Sequence, residues 1–384
     1  MMMSFSPFMT PDQSRLRRAA AQRRRRTRRR IGAVGALAIA IVAAFVVMAM
    51  GHGRTHAAHG STASSGSGAS TASASSSADG SHRSAHTTAA ALAVARSPSG
   101  LPLGKPVFAL HGIDGSAPES GVVNPGFSDP PRAGMLFNLS TGQVLWARNP
   151  YVRLPIASLT KMMTALLTVE SSPPDAPVLI TRAAVDMPGS KVGVLPLGRH
   201  VPLESLLYGL LLPSGNDAAV ALAQHVAGTV NDFVNRMNAE AAQLGMGCTR
   251  YSSPSGYYNA HNFSCVADLA MLAHVDIEQP RIAHIVRTYS AVLPFPIPGG
   301  RLYLYNNNPL LIYGYPGVTG MKTGQTEAAG RCVVATAERH GVRLGAIVLH
   351  SEDPGTQDRQ LLDLGFERVY HQPPIPEAPY PPGV

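Results

Sequence analysis

The order of strand and helix patterns is the feature that most constrains the fold of this chain. Residues 133–149 predict two strands joined at a Thr141-Gly142 turn, an opening antiparallel hairpin. Further strands and one helix are predicted near the other end, over residues 319–322, 332–337, 344–349 and 357–364. Between these groups the spacing is helical, over residues 158–170, 203–212, 217–227, 232–244 and 267–274. This order predicts an α/β fold of the α+β type: an antiparallel sheet built by both ends, flanked by helices, with an inserted helical subdomain.

The positive charge of the chain is confined to its N-terminus. Residues 1–30 hold ten arginines and one acid, Asp12, and these account for the whole formal charge of +9. The rest of the chain carries 22 basic and 22 acidic side chains and is neutral. A basic binding face is therefore not indicated, and we expect no nucleic-acid partner.

An uncharged apolar segment follows the arginines. Residues 31–50 contain no charged or polar side chain, and as a helix they would span roughly 30 Å, about one hydrocarbon core. Because arginines flanking such a helix stay cytoplasmic, the sequence predicts a single-pass cell-membrane protein with the remainder outside the cytoplasm. The alternative is a signal peptide cleaved near Thr55-His56-Ala57, followed by export.

Composition divides the rest of the chain into three parts. Residues 51–131 are predicted to be a flexible tether rich in Ser, Ala, Gly and His, with a Pro/Gly-rich lead-in at its end, because such a composition buries little apolar surface. Residues 132–371 have globular patterning, and residues 372–384 form a Pro-rich tail.

The three cysteines are Cys248, Cys265 and Cys332. Outside the cytoplasm one disulfide is permitted, and Cys248 and Cys265 are the closest pair in sequence. Three buried thiols are the alternative. No spacing typical of metal ligands is present, so we expect neither a metal nor a cofactor.

Three short motifs contain the candidate site residues: Ser158-Leu-Thr-Lys161, Ser214-Gly-Asn216 and Lys322-Thr-Gly324. Each alone is weak, since S-x-x-K is expected by chance roughly once or twice in such a chain. However, the chain has 28 arginines and only four lysines, and two of those lysines lie in these motifs. Arginine cannot lose its proton near neutral pH, whereas a buried lysine can. A lysine retained at position 161 therefore indicates a chemical role.

The spacing of the first motif suits a nucleophile and its base. A serine at the first turn of a helix and a lysine three residues later lie on one face, so Lys161 can take the proton of Ser158. Burial and the nearby cation of Lys322 would lower the pKa of Lys161. The helix N-terminus also offers N–H groups to a developing oxyanion.

The other motifs supply groups for a substrate. Ser214 offers a hydroxyl that passes a proton to a leaving amine, and Asn216 an amide for substrate backbone. Lys322 and Thr323 offer a cation and a hydroxyl suited to a terminal carboxylate. Gly324 permits close approach of a substrate strand. Together these groups predict acyl transfer at the C-terminus of a peptide.

The sequence around the motifs resembles the D-alanyl-D-alanine carboxypeptidases, low-molecular-mass penicillin-binding proteins that are serine peptidases of the S11 type. Four blocks carry the resemblance, in the order of that family: RLPIASLTKMMTALL, LLYGLLLPSGNDAAVALA, FVNRMNAEAAQLGM and GVTGMKTGQTEAAGRCVVATAERHG. S-x-x-K and K-T-G are shared with penicillin-binding proteins and class A β-lactamases, while the usual S-D-N is Ser-Gly-Asn here. The family's Asn-Pro-x-Gly appears as Ser253-Pro-Ser-Gly256.

The resemblance implies a β-lactamase/transpeptidase-like fold and a hydrolase of cell-wall peptidoglycan biosynthesis, a process that determines cell shape. Its substrates would be stem peptides ending in D-Ala-D-Ala, and β-lactam antibiotics would inhibit it covalently. Ser158 would be acylated, with Lys161 as base. The backbone N–H groups of Ser158 and Gln325 would form the oxyanion hole.

Three alternatives share this constellation. A D,D-endopeptidase or transpeptidase would use the same residues with another acyl donor or acceptor. A class A β-lactamase would need a glutamate in an E-x-x-L-N setting, and the sequence between Asn216 and Lys322 contains none. A catalytically idle cell-wall binding module is the alternative that is not an enzyme.

Overall fold

The computed structural model describes residues 108–114, 117–257 and 261–375. The predicted basic segment and membrane helix, most of the tether and most of the Pro-rich tail lie outside these ranges. None of the helices within them is long and apolar enough to cross a membrane.

The strands and helices of the described ranges follow the order that the sequence predicts. The strands are β1 (Glu119–Gly121), β2 (Ala133–Asn138), β3 (Val144–Arg148), β4 (Leu154–Pro155), β5 (Pro177–Leu179), β6 (His200–Pro202), β7 (Phe263–Ser264), β8 (Ser290–Pro294), β9 (Arg301–Tyr305), β10 (Val318–Thr326), β11 (Gly330–Arg339) and β12 (Val342–Ser351). The helices are α1 (Lys161–Ser171), α2 (Arg182–Val185), α3 (Leu203–Leu211), α4 (Asn216–Ala227), α5 (Val230–Gln243), α6 (Val266–Glu278), α7 (Pro280–Val286), α8 (Pro309–Ile312) and α9 (Pro354–Leu364). A 3₁₀ turn, Ala157–Thr160, precedes α1, and a π-helical turn, Gly365–Val369, follows α9.

Six strands form one antiparallel sheet in the order β1-β3-β2-β12-β11-β10. The N-terminal hairpin β2–β3 therefore pairs with the C-terminal strand β12, which confirms that both ends of the globular part build the sheet. Both sheet faces are covered. Met135 and Phe137 of β2 belong to the core shared with the helical subdomain, and Leu136 between them belongs to the core under α9. This alternation follows from the two-residue period of a strand.

The inserted subdomain is built around α1, whose residues 161–168 are all buried. Helices α3, α4 and α6 pack on it. Local sequence sets where these helices end and begin. Gly228 ends α4 in a left-handed conformation (φ +78°), and Thr229 caps α5 by accepting the Asp232 N–H at 3.0 Å.

The predicted lead-in is less irregular than its composition indicates. Residues 119–121 pair with β3, and the Glu119 carboxylate accepts the Trp146 Nε1–H and forms a 2.7 Å ion pair with Arg148. The sheet thus extends to a strand before the predicted boundary at residue 132. Glu119, Ser120 and Gly121 are too few and too polar to show a strand period, so no strand is predicted here.

Of the two alternatives for the cysteines, the structure contains the disulfide. Cys248 and Cys265 are bonded, with their Cα atoms 5.7 Å apart. The bond ties the segment after α5 to the first residue before α6. Cys332 is free and buried on β11.

A buried acid in the subdomain lacks a hydrogen-bond partner. Asp276 of α6 is fully buried, and neither of its carboxylate oxygens has a partner among the described residues. Burial raises the pKa of the Asp276 carboxyl well above its usual value, and the negative charge of Glu170 adds to the effect. Burial and Glu240 raise the pKa of Glu170 to about 7. The folded state therefore favours the protonated, uncharged form of Asp276.

We predict that Asp276→Asn makes the protein more stable relative to wild type as the pH rises. A carboxyl whose pKa is raised by folding makes its full contribution to stability at pH values below its pKa in the unfolded chain, about 3.9. That contribution is lost as the pH rises toward the pKa of the carboxyl in the folded protein. The wild type should thus lose up to about 1.4 kcal/mol per pH unit from this group over that window, and the variant should not. Urea unfolding between pH 4 and 9 measures the difference.

Asp175→Asn, at an exposed position, is the control and should follow the wild-type curve. Parallel curves for wild type and Asp276→Asn would contradict the prediction.

Candidate active site

Ser158 lies on the 3₁₀ turn Ala157–Thr160, directly before α1. The sequence prediction placed it in the first turn of an α-helix; the α-helix instead begins at Lys161. Residues three apart eclipse one another in a 3₁₀ turn, so the correction leaves Ser158 and Lys161 on one face. Ala157, just before the serine, has a left-handed backbone (φ +48°), a conformation that few side-chain-bearing residues adopt.

A neighbouring loop holds this turn in place. Gly256 has φ +73°, and a Cβ there would collide with the Ala157 carbonyl oxygen and the Thr160 hydroxyl. Asn262 donates to the same hydroxyl at 3.0 Å. The segment that ends at Gly256, which departs from the family pattern, therefore still supports the nucleophile turn by backbone approach, and Asn262 adds one buried amide.

Lys161 is fully buried and lies against Ser158. Its Nζ is 2.9 Å from Ser158 Oγ, 2.7 Å from Asn216 Oδ1 and 3.0 Å from the Ser255 carbonyl oxygen. Burial lowers the pKa of Lys161 well below its usual value, the charge of Lys322 lowers it further, and Asp217 opposes the shift. A neutral amine has two N–H groups and one lone pair. If the N–H groups bind Asn216 and Ser255, the lone pair remains for the Ser158 hydroxyl.

The Ser214-Gly-Asn216 motif leads into α4. Ser214 has a left-handed backbone (φ +66°), and its buried Oγ has no partner among the described residues. Asn216 bridges two walls of the site, since its Oδ1 faces Lys161 and its Nδ2 donates to the Pro188 carbonyl at 2.8 Å. The left-handed backbone at Ser214 and the helix start at Asn216 fix these two side chains.

Asp217 fastens the adjacent loop to the same helix start. Its two carboxylate oxygens accept the N–H groups of Val192 and Gly193 at 2.9 and 3.0 Å. Asn216 N–H donates to the Ser190 carbonyl at 2.7 Å. Asp217 also accepts the Ala218 N–H in the first turn of α4, but its larger effect is to position this loop.

The third motif lies on β10, an edge strand of the described sheet. Thr323, Gly324 and Gln325 line a cleft, whereas Lys322 points into the protein and is only 1% exposed. Lys322 Nζ donates to the Thr323 carbonyl at 2.8 Å. Burial lowers the pKa of Lys322 to about 7.

Gly324 allows β10 to lie against the nucleophile turn. A Cβ at this position would be 3.0 Å from the Ser158 nitrogen and 2.9 Å from the Ile156 carbonyl oxygen. The sequence interpretation assigned this glycine to the approach of a substrate strand. The structure adds a second reason, the approach of the protein's own turn.

The predicted residues surround one open cleft of about 450 Å³, lined by side chains from all three motifs. The lining includes Ser158 and Ser214 together with Thr323, Gly324 and Gln325 of β10. Lys161, Asn216 and Lys322 lie beneath its surface. Sequence reasoning did not find Ser190, Asn307 or Arg331, which also line the cleft, nor Ser255 and Asn262 beneath it.

Only one group of described residues has the spacing of metal ligands, namely Cys248, Cys265 and Asp268. Both sulfurs belong to the disulfide, and Asp268 accepts hydrogen bonds from the Cys248 N–H and the Thr249 hydroxyl. These atoms are therefore committed to structural contacts.

Comparisons with known proteins identify one family and several relatives. The sequence model of the family described as D-alanyl-D-alanine carboxypeptidase matches residues 131–353. D-alanyl-D-alanine carboxypeptidase DacF of Bacillus subtilis is 32% identical over 250 residues, which are 63% of this chain and 64% of that protein. A D-alanyl-D-alanine endopeptidase of Pseudomonas aeruginosa is 35% identical over 236 residues, 56% of this chain and 74% of that protein. The crystal structure of the Streptomyces K15 DD-transpeptidase aligns with a TM-score of 0.59 and 30% identity, covering 62% of this chain and 98% of that one.

Proposed function

The chain belongs to the D-alanyl-D-alanine carboxypeptidase family of serine peptidases, and on that premise we propose that it removes the terminal D-Ala from peptidoglycan stem pentapeptides through an acyl-enzyme on Ser158. One observation carries the proposal. The Ser158 hydroxyl lies 2.9 Å from a fully buried amine, Lys161, whose pKa is lowered. A serine beside a neutral amine is an activated nucleophile.

Acylation begins with proton transfer. Lys161 takes the proton of Ser158, and Oγ attacks the carbonyl carbon of the penultimate D-Ala. The N–H groups of Ser158 and Gln325 stabilise the oxyanion. As the peptide bond breaks, Ser214 relays the proton from Lys161 to the leaving amine, and free D-Ala departs. Water then attacks the ester and regenerates Ser158, so the net reaction is hydrolysis of one peptide bond.

The surrounding residues keep Lys161 in its neutral form and hold the substrate. Burial and the charge of Lys322 both favour the neutral amine, while Asp217 limits the shift. Asn216 holds the amine in place, because its Oδ1 faces Lys161 while its Nδ2 donates to the Pro188 carbonyl. Thr323 and Gly324 present a hydroxyl and an open backbone edge to the bound peptide.

The same chemistry makes β-lactams covalent inhibitors. Ser158 opens the lactam ring and becomes acylated, and no leaving group departs to make room for water. A class A β-lactamase hydrolyses such an ester with a dedicated glutamate, and the E-x-x-L-N setting of that glutamate is missing between Asn216 and Lys322. The adduct should therefore be long-lived.

A D,D-endopeptidase is the second candidate, because two of the relatives carry that name. It would cleave a cross-link with the same nucleophile and base. Comparing release from a pentapeptide with cleavage of a cross-linked dimer ranks the two activities.

We further propose that the enzyme is tethered to the outer face of the cell membrane by residues 31–50. The support is the sequence: twenty residues without a charge or polar side chain, preceded by a run of arginines from Arg23 to Arg30. Residues 51–107 would then act as a linker that allows the catalytic domain to extend from the membrane toward the cell wall.

Replacing the nucleophile should abolish both reactions. We predict that Ser158→Ala lowers D-Ala release from a synthetic pentapeptide by about 10⁴-fold or more, because no acyl-enzyme can form. It should also remove the benzylpenicillin adduct from the intact-mass spectrum. Ser171→Ala, which alters an exposed serine outside the cleft lining, is the control and should retain both. Equal D-Ala release by wild type and Ser158→Ala would refute the proposed function.

The pH dependence of Ser158 acylation should report the protonation of Lys161. Only the neutral amine is a base, so the acylation rate rises with pH through the pKa of Lys161. Lys322→Gln removes a positive charge and so raises the pKa of Lys161. The rise of the acylation rate with pH should therefore move to higher pH. Asp217→Asn removes a negative charge and so lowers the pKa of Lys161. The rise of the acylation rate with pH should therefore move to lower pH. Stopped-flow acylation by a chromogenic β-lactam measures both.

Lys161→Arg completes the test, because arginine stays charged and acylation should fall by at least about 10²-fold. Shifts of the same sign in Lys322→Gln and Asp217→Asn would contradict the assignment of Lys161 as the base.

The proposed membrane anchor leads to a separate prediction about where the protein is found. The full chain expressed in bacteria should remain in the membrane pellet after carbonate extraction, and deletion of residues 1–50 should prevent this. Recovery of a soluble exported protein that begins near His56 to Gly60 would instead establish signal cleavage.

A further inference from the structure

The Ala157 carbonyl lies one peptide unit before the nucleophile and is held by a buried side chain. A trans peptide unit is planar, so this carbonyl and the Ser158 N–H lie in one plane and point in opposite directions. Ala157 has a left-handed backbone (φ +48°) and is only 2% exposed. A contact that fixes its carbonyl therefore also fixes the direction of the Ser158 N–H, one of the two groups that would stabilise the oxyanion.

The hydroxyl of Thr160 holds this carbonyl. Thr160 is fully buried, and its Oγ1 donates to the Ala157 carbonyl oxygen at 2.8 Å. A threonine hydroxyl that bonds back to its own helical turn is common, so this contact alone assigns no role. Here, however, the carbonyl belongs to the residue before the nucleophile, and the hydroxyl has a second partner on another loop.

That second partner is Asn262, whose side chain orients the Thr160 hydroxyl. Its Oδ1 accepts the backbone N–H groups of Ser252 and Ser253, and only an oxygen can face these two donors. The Nδ2 must then face Thr160, to which it donates at 3.0 Å. Because the hydroxyl has a single proton and accepts from the amide, its proton is directed to the Ala157 carbonyl.

Two glycines enclose the same peptide unit. A Cβ at Gly256 would collide with the Ala157 carbonyl oxygen, and a Cβ at Gly324 would lie 3.0 Å from the Ser158 nitrogen. The loop before β7 thus packs on the carbonyl side of this peptide, and strand β10 approaches its nitrogen side. Close packing at both ends makes the orientation of the peptide sensitive to small movements of the turn.

We propose that Thr160 and Asn262 are positioning residues that orient the Ser158 N–H toward the oxyanion. This inference rests on the proposed function and deepens it. Asn262 sets the direction of the Thr160 proton, Thr160 holds the Ala157 carbonyl, and the planar peptide passes this constraint to the N–H. Both residues are buried and lie outside the cleft lining, so they act on the transition state without touching the substrate.

The test removes the Thr160 hydroxyl with little change in volume. Thr160→Val should lower the rate of Ser158 acylation by a chromogenic β-lactam by about 10- to 100-fold, because a misdirected donor loses part of the roughly 10²- to 10³-fold effect of an oxyanion donor. The pH dependence of this rate should stay that of wild type, since Lys161 keeps its three contacts. On a synthetic pentapeptide kcat should fall, while KM changes by less than about threefold.

Thr160→Ser keeps the hydroxyl and should restore the acylation rate to within about threefold of wild type. The matched control is Thr168→Val. Thr168 is also fully buried on α1, and its hydroxyl donates to the Thr164 carbonyl of its own helix at 2.7 Å. Its replacement should lower the unfolding temperature as Thr160→Val does, but the acylation rate should remain that of wild type.

A double-mutant cycle tests whether the two residues form one chain of contacts. Asn262→Ala should slow acylation in the same way as Thr160→Val, and the double variant should be slower than the slower single variant by less than about threefold. Thermal unfolding checks each protein, and Asn262→Ser replaces the alanine variant if that one does not fold.

Three results would overturn the proposal. Equal losses of acylation in Thr160→Val and Thr168→Val would mean a purely structural role. A shifted pH dependence in Thr160→Val would mean that the hydroxyl acts through Lys161. Losses that multiply in the double variant would show that Asn262 acts independently of Thr160.

The wild type tests the proposed function separately. If it releases no D-Ala from the pentapeptide but is acylated by the β-lactam, the proposed function fails, and the acylation rates of the variants still decide the role of Thr160 and Asn262. A wild type that is not acylated at all would overturn both.

Discussion

Burial of the Lys161 amine is the constraint on which the site depends. An amine removed from water is costly unless it is neutral or its hydrogen bonds are satisfied. Here Asn216 and Ser255 supply acceptors from two separate elements, and Ser158 supplies the third contact. Burial of the first residue of α1 therefore depends on the helix start at α4 and on the loop before β7.

The same constraint joins the two parts of the domain. The sheet contributes Lys322, whose side chain points from β10 into the protein. The subdomain contributes Asn216 and Asp217 from α4. The two amines repel each other, and Asp217 offsets part of that repulsion. Two charged side chains on different elements, Lys322 and Asp217, thus act with burial to set the protonation of one base, and the turn that carries Ser158 lies close to both.

Much of this arrangement follows from sequence periodicity and spacing. The hairpin, the central helices and the three C-terminal strands have strong patterns, and their predicted positions agree with the structure to within a few residues. The pairing of Ser158 with Lys161 follows from their spacing alone. The contacts of Ser255 and Asn262 were missed because one acts through its backbone carbonyl and the other from a distant loop. Arg331 was missed because its place in the cleft depends on strand register, and the strand at Glu119–Gly121 because it is too short to show a period.

The position of β10 has a consequence for the solution behaviour of the protein. The outer edge of a sheet exposes N–H and C=O groups that can pair with a second chain, and natural proteins cover such edges. Here the turn Ala157–Thr160 packs on one face of β10 at Gly324, so the residues that build the cleft lie beside the open edge. Catalysis requires that one extended peptide can pair with this edge. Solubility requires that a long strand of another molecule cannot pair with it. A short open stretch beside a fixed turn meets both requirements, and loosening that turn would favour self-association as well as loss of activity.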